Sequence, residues 1–152
     1  MASCSLIAAT LCYSLTHPVS YVKAEKWEPE AVIVMAARHH NVPESMALAV
    51  AETESKFNCD AVGKAGEIGL FQIKPTTAFL LGYAGSVQGL KDCTTNAFFG
   101  ALHLKRALVS CGGDQACAIS RHNRGLRAKP KPASAYNRKV NKNLARVEAW
   151  VR

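Results

Sequence analysis

Two glutamates, Glu52 and Glu54, close an almost wholly apolar run, Met46-Ala47-Leu48-Ala49-Val50-Ala51, just before a glycine-punctuated stretch. A carboxyl group in such surroundings is poorly solvated, and poor solvation raises its pKa. An acid still protonated near neutral pH can hand a proton to a leaving group, the step that glycosidic bond cleavage needs. Two positions apart on a helix is a rotation of roughly 200°, so the two carboxylates cannot share a face. Periodicity leaves open which of them does chemistry, and either one taken singly also reads as a solvated glutamate at a helix end. A third carboxylate lies in the following stretch, Gly66-Glu67-Ile68-Gly69, where a solvated loop charge is the default reading.

The elements that must position these groups read as helices. Pro29 opens a first helical pattern with Val32, Val34, Met35 and Ala36 on its apolar side, ending near Asn41 because Pro43 disfavours helix at the residue before it. Pro43 and Glu44 suit the first turn of a second helix, which is apolar all round and therefore buried, and which ends near Ser55 or Lys56. Residues 57–74 carry three glycines and no sustained period, so they read as loop with at most a short hairpin around 62–73. A short helix is expected from Pro75 to Leu81. A long one follows with Thr94 or Thr95 as N-cap and Gly112-Gly113 as its stop. Asp114 is placed to cap a helix through His122, and Ser134 to cap a last one whose Tyr136, Val140, Leu144, Val147 and Val151 recur at helical spacing. The fold class is mainly α in one domain, with Gly125 to Ala133 an exposed basic turn.

The 152 residues suffice for one hydrophobic core, and 49% apolar content argues against disorder. Leu6 to Leu15 is a short apolar stretch and Val22-Lys23-Ala24 approximates a signal-peptidase site, so residues 1–24 read as an export signal and 25–152 as the domain. The apolar run is shorter than the ~20 residues a spanning helix needs, so no stable membrane span is expected. Cys4 and Cys12 lack a lipobox. Four cysteines then remain, Cys59, Cys93, Cys111 and Cys117, which suggests two disulfides in any of three connectivities and an oxidising compartment. Buried free thiols are the alternative. A zinc site finds no support, because no close Cys-x-x-Cys pair is present.

The net charge of +8 is unevenly spread. From Arg121 to Arg152 there are ten Lys/Arg against one acid, Glu148, so this part carries +9 and everything before it −1. A basic face suits an acidic polymer as readily as plain solvent. Nucleic acid is disfavoured by the export signal and by the few aromatics near the basic tail.

The order of short motifs is more specific. Glu54-Ser55-Lys56-Phe57 is followed by Ala61, Gly66, Gly69-Leu70-Phe71-Gln72 and Pro75-Thr76-Thr77-Ala78. Asn96, Gly100 and His103-Leu104 come next, then Gly112-Gly113, Arg121-His122-Asn123 and Tyr136. Over about residues 30 to 142 this resembles the lytic transglycosylases of the soluble-lytic-transglycosylase (SLT) type, related in fold to goose-type lysozyme. The resemblance implies a lysozyme-like domain that cleaves the MurNAc-β-1,4-GlcNAc bonds of peptidoglycan glycan strands, with no metal or organic cofactor. It selects Glu54 as catalytic acid and then base, which closes a 1,6-anhydro ring on muramic acid without water. One carboxylate can then do the work of the usual two.

The resemblance also implies that Ser55 and Tyr136 orient Glu54 or substrate substituents, and that Gln72 and Asn123 hydrogen-bond the sugar. Three positions depart from the pattern. Glu67 replaces a small residue and is a candidate to position water or to push the Glu54 pKa up. His122 stands where the family has tyrosine and reads either as a hydrogen-bonding, substrate-binding residue of the site or as a surface histidine; Gly63 stands where the family has serine, which puts one sugar contact in doubt. The expected setting is the bacterial periplasm or outside, in local wall remodelling for a secretion, conjugation or flagellar machine. Alternatives are a hydrolytic muramidase of the same fold and a non-enzymatic wall-binding or secretion scaffold.

Overall fold

A computed structural model describes residues 28–151 of the chain; the expected export signal, with Cys4 and Cys12, lies outside them. Among the described residues six α-helices follow one another: α1 Pro29–His40, α2 Glu44–Ser55, α3 Pro75–Leu80, α4 Cys93–Ser110, α5 Gln115–Arg124 and α6 Ala135–Val151. A 3₁₀ turn, Gln88–Lys91, precedes α4. Helix α2 is the axis of the domain. Met46, Ala47, Ala49, Val50 and Ala51 are wholly buried, with α1 packed on one side and α6 on another. Helix α4 packs against α1 and α5 and completes the enclosure.

The helix ends follow local chemistry. Pro43 precedes α2 in extended geometry, and the helix stops where Lys56 turns left-handed. Helix α4 starts earlier than expected. Asp92, and neither Thr94 nor Thr95, is its N-cap, because the Asp92 carboxylate accepts the Thr95 backbone N–H at 2.8 Å. Asp114 and Ser134 cap α5 and α6 as their sequence positions predict, accepting from Cys117 N and Asn137 N. Helix α5 runs two residues past His122, to Arg124. In α1 the buried stripe is Val32, Ile33, Ala36 and Ala37, while Met35 is 56% exposed.

No strand forms among the described residues. The expected hairpin is reduced to two single antiparallel bridges, Val62 to Ile68 and Ile68 to Ile73. The chain between them turns too tightly to extend a ladder: Gln72 N donates to Gly69 O, and Gly69 N reaches back to Ala61 O. Two disulfides fasten this frame. Cys59–Cys93 ties the loop after α2 to the start of α4, and Cys111–Cys117 closes the α4–α5 turn.

Candidate active site

Glu54 lies on the last turn of α2, at the mouth of a cleft of about 360 Å³. The loop from Phe57 to Lys74 forms one wall and the end of α5 the other. Glu67, Gln72, His103, His122 and Asn123 line the cleft together with Glu54. Of the residues singled out in the sequence, Glu54, Glu67, Gln72, His122 and Asn123 thus converge. Ser55 and Tyr136 stand behind this lining. The Ser55 hydroxyl donates to Leu70 O at 3.0 Å and pins the Gly69–Gln72 turn to the helix end. Tyr136 Oη donates to Glu54 Oε1 at 2.6 Å.

The tight turn depends on buried packing. Leu70 and Phe71 are fully buried beneath it. Asn96, also fully buried, accepts from Phe71 N and donates to Ile68 O and Leu90 O, all at 2.8–3.0 Å. Gly69 has φ +73°, and a Cβ there would come within 2.3 Å of Asn96 Nδ2. Gln72 takes a left-handed φ of 45° without being glycine, and its amide donates to Gly69 O at 3.0 Å. Such strained positions persist only where the surroundings hold them.

The two glutamates of α2 separate as helix rotation demands. Glu52 faces away from the cleft, paired with Arg146 of α6 beside an apolar hollow lined by Val34, Leu48 and Phe57. Glu54 faces the cleft. Burial pushes its carboxyl above the ordinary 4.5, while the Tyr136 hydrogen bond and the Lys139 charge oppose the shift, and Glu67 adds a smaller upward push. Lys139 is held nearby by donating to Thr53 O at 3.2 Å.

Glu67 behaves in the opposite sense. Hydrogen bonds from its own backbone and from Ala65 N hold its carboxyl below the usual range, aided by Lys74 at 3.7 Å. Two carboxyls shifted in opposite directions therefore border the same cleft, Glu54 upward and Glu67 downward, the division that marks acid and base roles. Gly63 belongs to this arrangement: a Cβ there would lie 2.4 Å from Glu67 Oε2 and 2.7 Å from Gln72 Oε1. The missing side chain at 63 and the carboxylate at 67 are complementary.

The His122 side chain is 4% exposed, with Nε2 3.7 Å from Glu54 Oε1. Its Nδ1 faces Nδ1 of His103 at 3.0 Å. Sequence reasoning quoted His103 only within a motif and missed Lys139 altogether. Nothing local marks Lys139 as a neighbour of Glu54, because the two lie on helices at opposite ends of the chain.

Known proteins resemble this chain in sequence and in fold. The transglycosylase SLT domain family matches residues 31–145. Over 57 residues, 38% of the chain, the sequence is 42% identical to membrane-bound lytic murein transglycosylase C of Haemophilus influenzae, and spans 15% of that protein's length. An inactive mutant of the lytic transglycosylase Slt from Pseudomonas aeruginosa shares the fold at TM-score 0.60 and 22% identity, over 77% of this chain and 22% of that one. The 70 kDa soluble lytic transglycosylase of Escherichia coli does so at TM-score 0.57 and 23% identity, over 78% and 18%. From the family match and the ordered motifs around Glu54, the chain belongs to the transglycosylase SLT domain family.

Proposed function

We propose that the protein is a lytic transglycosylase that cleaves the MurNAc-β-1,4-GlcNAc bonds of peptidoglycan. The observation that carries this reading is Glu54: a half-buried carboxyl with a raised pKa, oriented by Tyr136 at the edge of a cleft, in a chain of the SLT family. Protonated Glu54 gives its proton to the bridging oxygen as the bond to the muramic C1 breaks. The resulting carboxylate takes the proton of the muramic C6 hydroxyl, whose oxygen closes on C1 to give 1,6-anhydro-MurNAc. Glu54 ends protonated, ready for the next bond. Tyr136 holds Oε1 throughout, while Gln72 and Asn123 supply hydrogen bonds to the glycan.

A hydrolytic outcome is the second reading, and Glu67 is the observation behind it. This carboxylate is ionised beside Glu54 on the same cleft and is suited to orient a water. Mass spectrometry of the muropeptides released from purified sacculi decides between the two. Anhydro-muramic ends are expected; reducing ends alone would establish hydrolysis. Wild-type protein no more lytic than Glu54→Gln would leave only a wall-binding or scaffold role.

The setting belongs to the same proposal. Two disulfides suit an oxidising compartment, and no helix among the described residues is long and apolar enough to cross a membrane. We place the protein outside the bacterial cytoplasm, with its basic α5–α6 region toward the acidic wall polymer. Local wall opening for a secretion, conjugation or flagellar machine is the role we propose within that setting.

A further inference from the structure

We propose that His103 and His122 form a buried, uncharged imidazole couple that positions Glu54 by exchanging donor and acceptor roles with its protonation state. The proposal rests on Glu54 being the catalytic acid and base. Its basis is geometric. His103 Nδ1 and His122 Nδ1 are 3.0 Å apart, His122 Nε2 is 3.7 Å from Glu54 Oε1, His103 is buried and the His122 side chain nearly so. Two Nδ1 atoms at that distance need one proton between them, so one ring must carry hydrogen on Nδ1 and the other must present a bare Nδ1.

That requirement links the couple to Glu54. With Glu54 ionised, His122 Nε2–H faces the carboxylate, His122 Nδ1 is bare and His103 Nδ1–H donates to it. With Glu54 protonated, its O–H faces a bare His122 Nε2, His122 Nδ1–H donates to His103 Nδ1, and His103 carries hydrogen on Nε2. Going from the first state to the second, one proton enters at His103 Nε2. The His103 Nδ1 proton passes to His122 Nδ1, and the His122 Nε2 proton passes to Glu54. Both rings begin and end neutral, and His103 borders both the cleft and an adjoining hollow lined by Leu81, Arg106 and Arg127.

The surroundings keep the rings neutral. Burial holds His122 down to about 3, with His103 adding to the shift and the Phe71 backbone opposing it. Burial and then Arg106 of α4 hold His103 down to about 4. The other charged or titratable groups around the couple and Glu54 are Glu67 and Lys74 of the loop wall, Arg124 of α5, and Tyr136 and Lys139 of α6. An imidazolium among these cations would be disfavoured, so the couple responds to Glu54 by moving protons and not by gaining charge.

Nitrogen-15 NMR of the imidazoles in the full chain tests this without reference to activity. With the five imidazoles assigned, the expected result is that of His103 and His122 one carries Nδ1–H and the other Nε2–H, both neutral at pH 6, exchanging roles as Glu54 titrates and staying fixed in Glu54→Gln. Nε2–H on both of these rings, either of them titrating near 6.5, or no exchange across the Glu54 titration would each overturn the proposal. The kinetic arm uses His103→Leu, expected to lower kcat about 10- to 100-fold with KM unchanged and to alter the pH profile, as a misplaced reacting group does. His103→Asn, whose amide can donate or accept near the former Nδ1, should recover most of the loss. A His103→Leu enzyme with wild-type kcat and pH profile would also overturn the couple's role. Absence of lytic activity in the wild-type protein would instead reject the enzymatic reading and leave the NMR result to judge the couple.

Discussion

Tyr136 Oη and Glu54 Oε1 are 2.6 Å apart although 82 residues separate them in the chain. The contact joins α6 to the end of α2 and gives the carboxyl a fixed orientation. Two further contacts reinforce it at the preceding residue, where Asn143 Nδ2 and Lys139 Nζ donate to the Thr53 hydroxyl and carbonyl. Helix α6, basic on its outer face, is thus also the element that aims the acid.

Removing the phenol separates these effects. The Tyr136 hydrogen bond lowers the Glu54 pKa against the upward push of burial. In Tyr136→Phe the Glu54 pKa should rise further, so the alkaline limb of kcat/KM moves to higher pH. Loss of orientation should lower kcat about 10-fold. A pH–rate series on sacculi checks both; an unmoved alkaline limb would show that Glu54 does not set it.

Exchanging each glutamate of α2 tests their division. Glu54→Gln should lose about 100-fold or more of the lytic rate, the usual scale for a lost general acid. Glu52→Gln should stay near wild type, because Glu52 lies across the helix against Arg146. Turbidity loss of a sacculus suspension reads both.

Stability should respond to Glu54→Gln in the opposite direction to activity. A carboxyl whose folded pKa is raised above its unfolded 4.5 contributes stability that is fully present below pH 4.5 and is lost as pH rises through the folded pKa. The glutamine lacks that loss. Thermal melts should therefore show Glu54→Gln more stable than wild type at pH 7, with the difference vanishing below about pH 4.5.

Asn96→Ala should cost about 2–4 kcal/mol in urea unfolding, because one Phe71 N–H and the Ile68 and Leu90 carbonyls lose a buried partner. Activity should fall at temperatures where the fold persists, since the Gly69–Gln72 turn loosens while the helices remain. Far-UV circular dichroism alongside turbidity separates these outcomes.

Replacing both Cys59 and Cys93 with serine should lower stability by about 3–4 kcal/mol, the entropic scale for a link between residues 34 apart. The denaturant midpoint checks it, and reductant, which also opens Cys111–Cys117, should lower the wild-type midpoint below that of the double variant.

Much of this protein could be read from residue order. The buried α2 is legible because its apolar run has no polar face to turn outward. Asp114 and Ser134 are legible as caps because capping is local. Asp92 was not chosen over the threonines, since every cap candidate there satisfies the same local rule and only the backbone path selects one. The motif order alone points to Glu54, but the reason Glu52 is set aside is geometric: the helix rotation turns it toward Arg146. The opposed carboxyl states of Glu54 and Glu67 needed burial and backbone donors that no spacing reveals. The same holds for the fit of Glu67 beside Gly63, and for the meeting of Lys139 and the His103–His122 couple with Glu54. Sequence determined the helices, the Asp114 and Ser134 caps and the candidate acid, because these rest on periodicity, local hydrogen bonding and motif order. Tertiary structure alone decided the electrostatics of the cleft, because charges and dipoles act through distances that the chain sets only once it has folded.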